Sequence, residues 1–382
     1  MLARRRLTHQ ARLTKHKRPS TVSSSIRPDG VPAKPDFGLR RALRALLVAC
    51  TFAYPLALFG LCLAFYFVGE SWWLTAAGLY VPRVLYAVPL PILALALWVT
   101  GLRRYFWTQL IAAFLLIVPL MGFGLPSLSR PRAGAPTLRV LSFNVNSAFG
   151  GARAIVDAVV AASPDVVLMQ ETPPGNGQLV AALRAHFPYV ENSTQFVVAS
   201  RGRIVSRTEP DRLPLYGRER SPRFMRYSIE TPLGVLAVYS VHPISPRGVM
   251  HVRQFRAALH QLRTGELFAG DPEADVQGNA ALRALQIQTA AREAAAEPGP
   301  VVIAGDTNLP GLSAIFRKEL ARFADGFRAA SWGFGYTYPS HHPFLRLDRI
   351  LVSDKLRFVS FRVDCPGVSD HLCVVADIQA HP

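Results

Sequence analysis

Acidic residues are scarce in this 382-residue chain: 25 Asp and Glu stand against 43 Lys and Arg, a formal net charge of +18. A surplus of that size is the usual footprint of a nucleic-acid binder, but its distribution excludes so simple a reading. Residues 1–44 hold 12 of the basic side chains and two acidic ones, residues 45–126 hold three and one, and +6 is left for residues 127–382. The charge is concentrated ahead of the first apolar run, as in a cytoplasmic membrane flank, where Lys and Arg resist translocation. No strip of basic residues interleaved with aromatics follows, so nucleic acid is not the favoured partner. No internal repeat is found, which excludes a solenoid. The first 40 residues read as a poor signal peptide, because the apolar run begins near residue 42, too far in and too long for an h-region.

Cysteine is equally sparse, with four in the chain. Cys50 and Cys62 fall in the first apolar run and are expected to be buried packing residues. Cys365 and Cys373 lie eight residues apart near the C-terminus. They either bridge two neighbouring strands, if that half faces an oxidising compartment, or stay as two buried thiols.

What is present begins with a tail. The first 40 residues are rich in Arg, Lys, Ser and Pro, without periodicity, and are expected to be disordered. Three apolar runs follow, about Ala45–Val68, Leu79–Thr100 and Tyr105–Leu125, each close to the ~20 residues that cross a ~30 Å hydrocarbon core. The second contains Pro82, Pro89 and Pro91, tolerable where neighbours satisfy the freed carbonyls. Trp72, Trp73, Trp98, Tyr105 and Trp107 fall near the expected ends, as an aromatic belt does. Residues 45–126 therefore predict three transmembrane helices in a cell membrane. The tail and the Arg103–Arg104 loop are expected inside, and the loop 69–78, with Glu70 alone, outside. Three crossings then place the rest of the chain on the extracytoplasmic side, with Arg130 and Arg132 as the dissenting charges.

After a linker at 127–137 the pattern changes. Leu138–Asn144, Val166–Met169, Val235–Val241, Val301–Ala304, Arg349–Val352 and Leu372–Ile378 read as strands. Ala152–Ala162 and Leu282–Ala296 read as helices, and Thr264–Ala280 as a polar loop insertion. Buried strands mixed with helices over residues 138–382 predict one α/β domain of packed sheets.

The strands end in reactive side chains: Asn144, Glu171, His242, Asp306 with Asn308, Asp348, and Asp370 with His371. Apolar strands that each end in a carboxylate, carboxamide or imidazole build one polar rim over a sheet. Oxygen ligands such as Glu171, Asp370 and Asn144 suit Mg²⁺ or Mn²⁺, which polarises a phosphoryl oxygen. An Asp beside a His orients and charges the imidazole, and the set supplies both a base for water and an acid for a leaving group.

In order, the segments SFNVN, QET, YSVHP, GDTN, LDRI and SDH resemble the motifs of the endonuclease/exonuclease/phosphatase superfamily over essentially all of 138–382. The resemblance implies a four-layer α/β (α+β) sandwich, two packed β-sheets flanked by helices. It implies that Asn144 and Glu171 bind metal, that Asp370 orients a neighbour or binds metal, that His242 contacts or protonates the phosphate, and that Asp306 activates or positions the water. It also implies that Asn308 holds the phosphate, that Asp348 orients His242, and that His371 is the imidazole at the scissile phosphate. Asn146 stands where some relatives have an Asp; it is either a second metal contact or a turn residue. Trp332 and Thr337-Tyr338-Pro339 form either a cleft wall or plain core. His341 and His342 are expected to be exposed, because hard-metal sites prefer oxygen. The run Arg218, Arg220, Arg223 and Arg226 is either a solvated face or a grip on a second phosphate, with Arg226 the residue expected to bind substrate.

The fold does not set the substrate. The membrane helices resemble those of vancomycin- and teicoplanin-resistance proteins thought to act on polyprenyl pyrophosphate. The favoured expectation is a membrane-anchored phosphatase or phosphodiesterase acting on a lipid-linked phosphoester. The second is a tethered nuclease, and a third, of another class, is a catalytically silent receptor or scaffold, against which the intact polar set argues.

Overall fold

The computed structural model describes residues 36–125, 132–172, 175–249 and 276–381. Most of the basic tail, half of the linker and residues 264–275 of the expected insertion lie outside the described residues. The chain divides into two units, residues 1–45 and 46–382; of the first, residues 36–45 are described and are helical, so the expected disorder does not reach past Asp36.

Four helices come first: α1 Asp36–Phe67, α2 Trp73–Tyr80, α3 Pro89–Val99 and α4 Phe106–Leu115. The expectation of three straight spans is corrected. Among the described residues one helix, Gly38–Phe67, is long and apolar enough to cross a membrane. The second run is bent by 97° between Trp73–Tyr80 and Arg83–Val99. The cause is in the sequence: Pro82 stands at the break, and Pro89 at the first position of α3, where a missing N–H and a fixed φ start a helix but cannot continue one. The third run gives only the ten residues of α4 and a five-residue π segment, Leu116–Leu120, around Pro119.

Leu46, Leu56, Phe59 and Phe67 of α1 are exposed, as are Leu95 and Trp98 of α3 and Leu110 and Phe114 of α4. Exposed apolar patches of this kind mark surfaces that contact a partner or a membrane. Cys50 is also exposed, contrary to the expected burial. A polar group ties α1 to α4 inside: Thr51 Oγ1 lies 2.9 Å from Thr108 Oγ1 and accepts from Gln109 Nε2 at 2.6 Å, as polar side chains do between helices in hydrocarbon.

The remaining elements are β1 Leu138–Asn144, α5 Ala152–Ala161, β2 Val166–Gln170, α6 Gly177–Arg184, β3 Tyr189–Ser193, β4 Phe196–Ser200, β5 Ile204–Thr208, β6 Leu213–Leu215 and β7 Arg218–Arg220. There follow β8 Phe224–Thr231, β9 Gly234–Val241, α7 Val276–Ala296, β10 Val301–Asp306, α8 Ala314–Glu319, β11 Ala324–Asp325, α9 Gly326–Ala330, β12 Asp348–Val352, β13 Leu356–Asp364 and β14 Cys373–Ala380. Residues 276–280, expected in the loop insertion, begin α7 instead.

Two mixed six-stranded sheets result, in the orders β13-β14-β1-β2-β4-β3 and β11-β12-β10-β9-β8-β5. They pack face to face through Leu138, Val140 and Leu168 of the first and Tyr227, Leu236 and Val302 of the second. The alternate residues Leu141 and Phe143 face outward onto Ile155, Val159 and Leu183 of α5 and α6. On the other side Tyr239 and Ile303 face Ile287 and Ala290 of α7. Central strands covered on both faces have no polar face to show, which is why Val166–Met169 is wholly apolar. Cys365 and Cys373 are disulfide-bonded, with Cα atoms 5.4 Å apart, across the β13–β14 hairpin.

Candidate active site

Six strand ends meet at one edge of the two sheets, and the topology dictates it. β1 and β2 are parallel, as are β9 and β10, so each pair ends together: Asn144 lies opposite Gln170, and Gly305 opposite Val241. β12 is antiparallel to β10 and β14 to β1, so it is their starts that reach the same edge. Asp348 therefore sits opposite Asp306, and His371 stands just ahead of Cys373. Below this edge the sheets are tied by buried Gln170, whose Nε2 lies 3.2 Å from Ser240 Oγ and 3.3 Å from Ser142 Oγ. Gly305 lets β10 approach β9 just before Asp306; a Cβ there would lie 1.9 Å from the Val241 carbonyl oxygen.

The centre is tightly bonded. Asn144 Nδ2 donates to Glu171 Oε1 at 2.9 Å and to Asp306 Oδ2 at 3.1 Å, joining the two sheets. His242 Nε2 lies 3.3 Å from Glu171 Oε1 and 3.7 Å from Asp306 Oδ2, and His371 Nε2 is 3.7 Å from that same Asp306 oxygen. Asn308 and Glu171 hold left-handed backbone conformations, φ 50° and 55°, which non-glycine residues keep only where surroundings over-determine them. For Asn308 those surroundings are explicit. Its N–H donates to Asp306 Oδ1 at 2.8 Å, its Nδ2 donates to the Pro243 carbonyl at 3.0 Å, and its carbonyl accepts from Tyr80 Oη at 2.7 Å.

Three expectations change. Asp348 does not pair with His242: its Oδ2 lies 2.8 Å from Nδ1 of His371, because β12 and β14 begin at the same edge. His242 Nδ1 instead meets Gln195 Oε1 at 2.6 Å. Asp370 stays out of the acidic centre; its Oδ2 accepts from Arg247 Nη2 at 3.2 Å. Arg226 is not at the rim. Its position opposite Tyr239 puts it on the helix-covered face, where Glu297 takes its guanidinium at 2.6 and 3.1 Å.

Other residues fall as follows. Asn146 is a turn residue with φ 44°, its N–H donating to Asn144 Oδ1 at 3.0 Å. Tyr338 walls the site, its ring 4.8 Å from that of His371, whereas Trp332 is exposed and so neither wall nor core. His341 and His342 are exposed. Gln195 and Arg247 escaped the sequence reading. Gln195 lies in a hairpin turn with no motif around it; Arg247, whose guanidinium lies 4.6 Å from the Tyr338 ring centroid, follows His242 by five residues and could have been found as the next cation along.

Charge is balanced by these contacts. Burial works against ionised Glu171, but the His242 imidazole and the Asn144 amide outweigh it and hold the carboxyl down to about 2. Burial alone would lower the His371 pKa, but the Asp348 and Asp306 carboxylates raise it to about 9, so the ring is a cation at neutral pH. Arg223, whose carbonyl accepts the His242 N–H at 2.9 Å, lies beside the site; burial pulls its guanidinium down while the charge of Glu171 opposes it.

Glu171, His242 and Asp306 each offer a ligand atom within 4.8 Å of the others, as do Asp306, Asp348 and His371. His242 Nε2 is buried and, although near Glu171, makes no hydrogen bond. An orphaned imidazole nitrogen beside two carboxylates and a carboxamide fits a divalent cation; Asn144 and Glu171 are the residues that would hold it, with Asp306 beside them.

A model described as the Endonuclease/Exonuclease/phosphatase family matches residues 141–371. No curated protein matches the chain. Among solved structures, an endonuclease/exonuclease/phosphatase from Beutenbergia cavernae is similar at 18% identity and TM-score 0.45, covering 64% of this chain and 72% of that one. Truncated TDP2 of Caenorhabditis elegans is similar at 18% identity and TM-score 0.43, covering 64% and 98%. The beta toxin of Staphylococcus aureus is similar at 16% identity and TM-score 0.45, covering 63% and 99%.

Proposed function

Since this chain belongs to the Endonuclease/Exonuclease/phosphatase family, whose members are generally metal-dependent phosphoester hydrolases, we propose that it is a membrane-held phosphatase or phosphodiesterase. The proposed substrate is a lipid-linked phosphate or pyrophosphate, and the proposed cofactor is Mg²⁺ or Mn²⁺. The observation that carries the chemistry is the convergence of two imidazoles on one Asp306 oxygen. When bound, the cation polarises a phosphoryl oxygen. Asp306 takes a proton from the attacking water, held beside it by His242, whose ring Gln195 orients. His371, charged and aimed through its Nδ1 by Asp348, donates its Nε2 proton to the leaving oxygen as the bond between that oxygen and phosphorus breaks. The second N–H of the Asn308 amide and the guanidinium of Arg247 bind phosphate oxygens.

The membrane half of the proposal rests on how the apolar segment meets this loop. Tyr80 bonds the Asn308 carbonyl, Glu70 accepts from Ser313 Oγ and, at 2.9 Å, from Ala314 N–H at the start of α8, and Arg317 donates to the Tyr66 carbonyl. The C-terminal end of α1 thus abuts α8 and the loop that follows β10. The proposed topology has the basic tail inside and α1 crossing, with that end outside; the Cys365–Cys373 disulfide, which fits an oxidising compartment, supports this reading. A tethered nuclease would use the same centre, but Arg226, the expected extra phosphate grip, is held by Glu297.

The test is a panel of purified full-length protein with polyprenyl pyrophosphate, sphingomyelin, an inositol phosphate and single-stranded DNA. The lipid-linked pyrophosphate is expected to turn over fastest, with activity lost in excess EDTA and restored by Mg²⁺. Activity that persists in EDTA sinks the metal assignment, and preference for DNA sinks the substrate class.

A further inference from the structure

A second cavity, of about 440 Å³, lies apart from the acidic centre, between the segment Val118–Leu125 and the loops around Leu312 and Phe334–Arg346. Its walls are apolar or aromatic, with Leu120, Phe123, Leu312, Phe334 and Phe344 among them. Among the described residues three arginines line it, Arg83, Arg328 and Arg346, and no carboxylate does.

The cations are short of anion. Arg346 Nη1 reaches Asp325 at 2.9 and 3.1 Å, and Arg349 Nη1 reaches the same carboxylate at 3.0 Å. One carboxylate is thus shared by two buried guanidinium groups, with Arg328 near enough to act on it as well. Burial, and then the neighbouring charge of Arg346, pulls the Arg349 guanidinium down to about 9. Arg83 is only 3% exposed. Its Nη2 donates to the Leu79 carbonyl at 2.7 Å, while its Nη1 is buried without a hydrogen-bond partner. An unsatisfied buried N–H of a charged group is expensive, and an anion supplied from outside would remove that cost.

The walls say what kind of anion. Val118–Leu125 continues α4 and the π segment, and Val118 and Leu125 are themselves exposed. The segment is pinned in place by the Gly124–Gly333 bridge and by Tyr336 Oη donating to the Met121 carbonyl at 2.8 Å. One end of the cavity is therefore cationic, and its apolar wall runs into a surface that lipid would cover.

We propose that this cavity binds an anionic phospholipid, its phosphate against Arg83, Arg328 and Arg346 and an acyl chain along Leu120, Phe123 and Phe334. It is a site separate from the catalytic one, and it rests on the reading that the apolar helices lie in a membrane. The loop that lines it at Gly311–Leu312 carries Asn308 at its other end, and Arg349 Nη2 holds the Leu309 carbonyl between them at 3.0 Å.

The experiment uses the full chain in dodecyl maltoside and reads the melting temperature with dioleoyl phosphatidylglycerol, dioleoyl phosphatidylcholine or inorganic phosphate added. Saturating phosphatidylglycerol is expected to raise the Tm by about 5 °C through mass action, with little effect from the other two. Arg83→Met and Arg328→Gln are each expected to remove most of the shift. Arg328 is exposed, so its variant keeps the lipid-free Tm and serves as the folding control. Equal shifts from phosphatidylcholine, a full shift from inorganic phosphate alone, or full shifts in both variants would each overturn the proposal. Hydrolysis of a soluble chromogenic phosphodiester in the same samples reports separately on the catalytic reading.

Discussion

A single oxygen, Asp306 Oδ2, is the point on which the site turns, because both imidazoles and the Asn144 amide converge on it. The positive charge of His371 depends on its carboxylates, since burial by itself favours the neutral ring. Asp348→Asn leaves the volume almost unchanged and removes the negative charge facing Nδ1, so kcat is expected to fall by about 10²–10⁴, the range for a lost acid–base group, with KM little changed. His371→Ala should fall in the same range, and combining the two should add little. Steady-state kinetics on a chromogenic phosphodiester checks this; full additivity of the two losses would mean that they do not act as one unit.

Among elements, the short β11–α9 segment is held more by charge than by length. Asp325 is buried, caps α9 through Phe327 N–H at 3.0 Å, and pairs with Arg346 and Arg349. Burial opposes its ionisation, but the two guanidinium charges outweigh it and hold its pKa below the usual carboxylate value. A depressed folded-state pKa means stability that is present above about pH 4 and lost as pH falls through the folded value. Asp325→Asn is expected to cost about 3–5 kcal/mol at neutral pH, because two buried cations lose their partner. The gap between variant and parent should narrow in acid. Thermal melts from pH 7 to pH 3 measure both; a gap that widens in acid contradicts the pairing.

At the scale of the whole molecule, the apolar helices are fastened to the catalytic loop and do more than tether it. Glu70, Tyr80 and Met121 all bond residues between Asn308 and Tyr336. The proposed topology follows from that fastening. A periplasmic-type reporter such as alkaline phosphatase fused after His381 should be active, and Cys365 and Cys373 should resist alkylation until reduced. Losing the disulfide by a Cys373→Ala change should cost about 2–3 kcal/mol, as expected for a loop of this length. Free thiols at both positions in membrane-extracted protein would contradict the topology.

The sequence by itself determined which polar residues stand at the strand ends and the core strands that carry them. Leu138–Asn144 and Val166–Met169 could be read because strands buried on both faces are continuous apolar runs, and each ends in its polar residue in motif order. Edge strands such as β3, β5 and β13 were not legible, because their half-solvated faces break that pattern. Only the tertiary structure decided which groups meet. Register put Asp348 on His371 instead of His242, and the facing of β8 sent Arg226 to Glu297. A one-dimensional run of apolar residues likewise could not show that prolines bend the second segment through 97°. Motif order picks out the polar residues, but their pairing depends on strand direction and register, which join residues 23 positions apart at Asp348 and His371, 71 apart at Arg226 and Glu297, and 162 apart at Asn144 and Asp306.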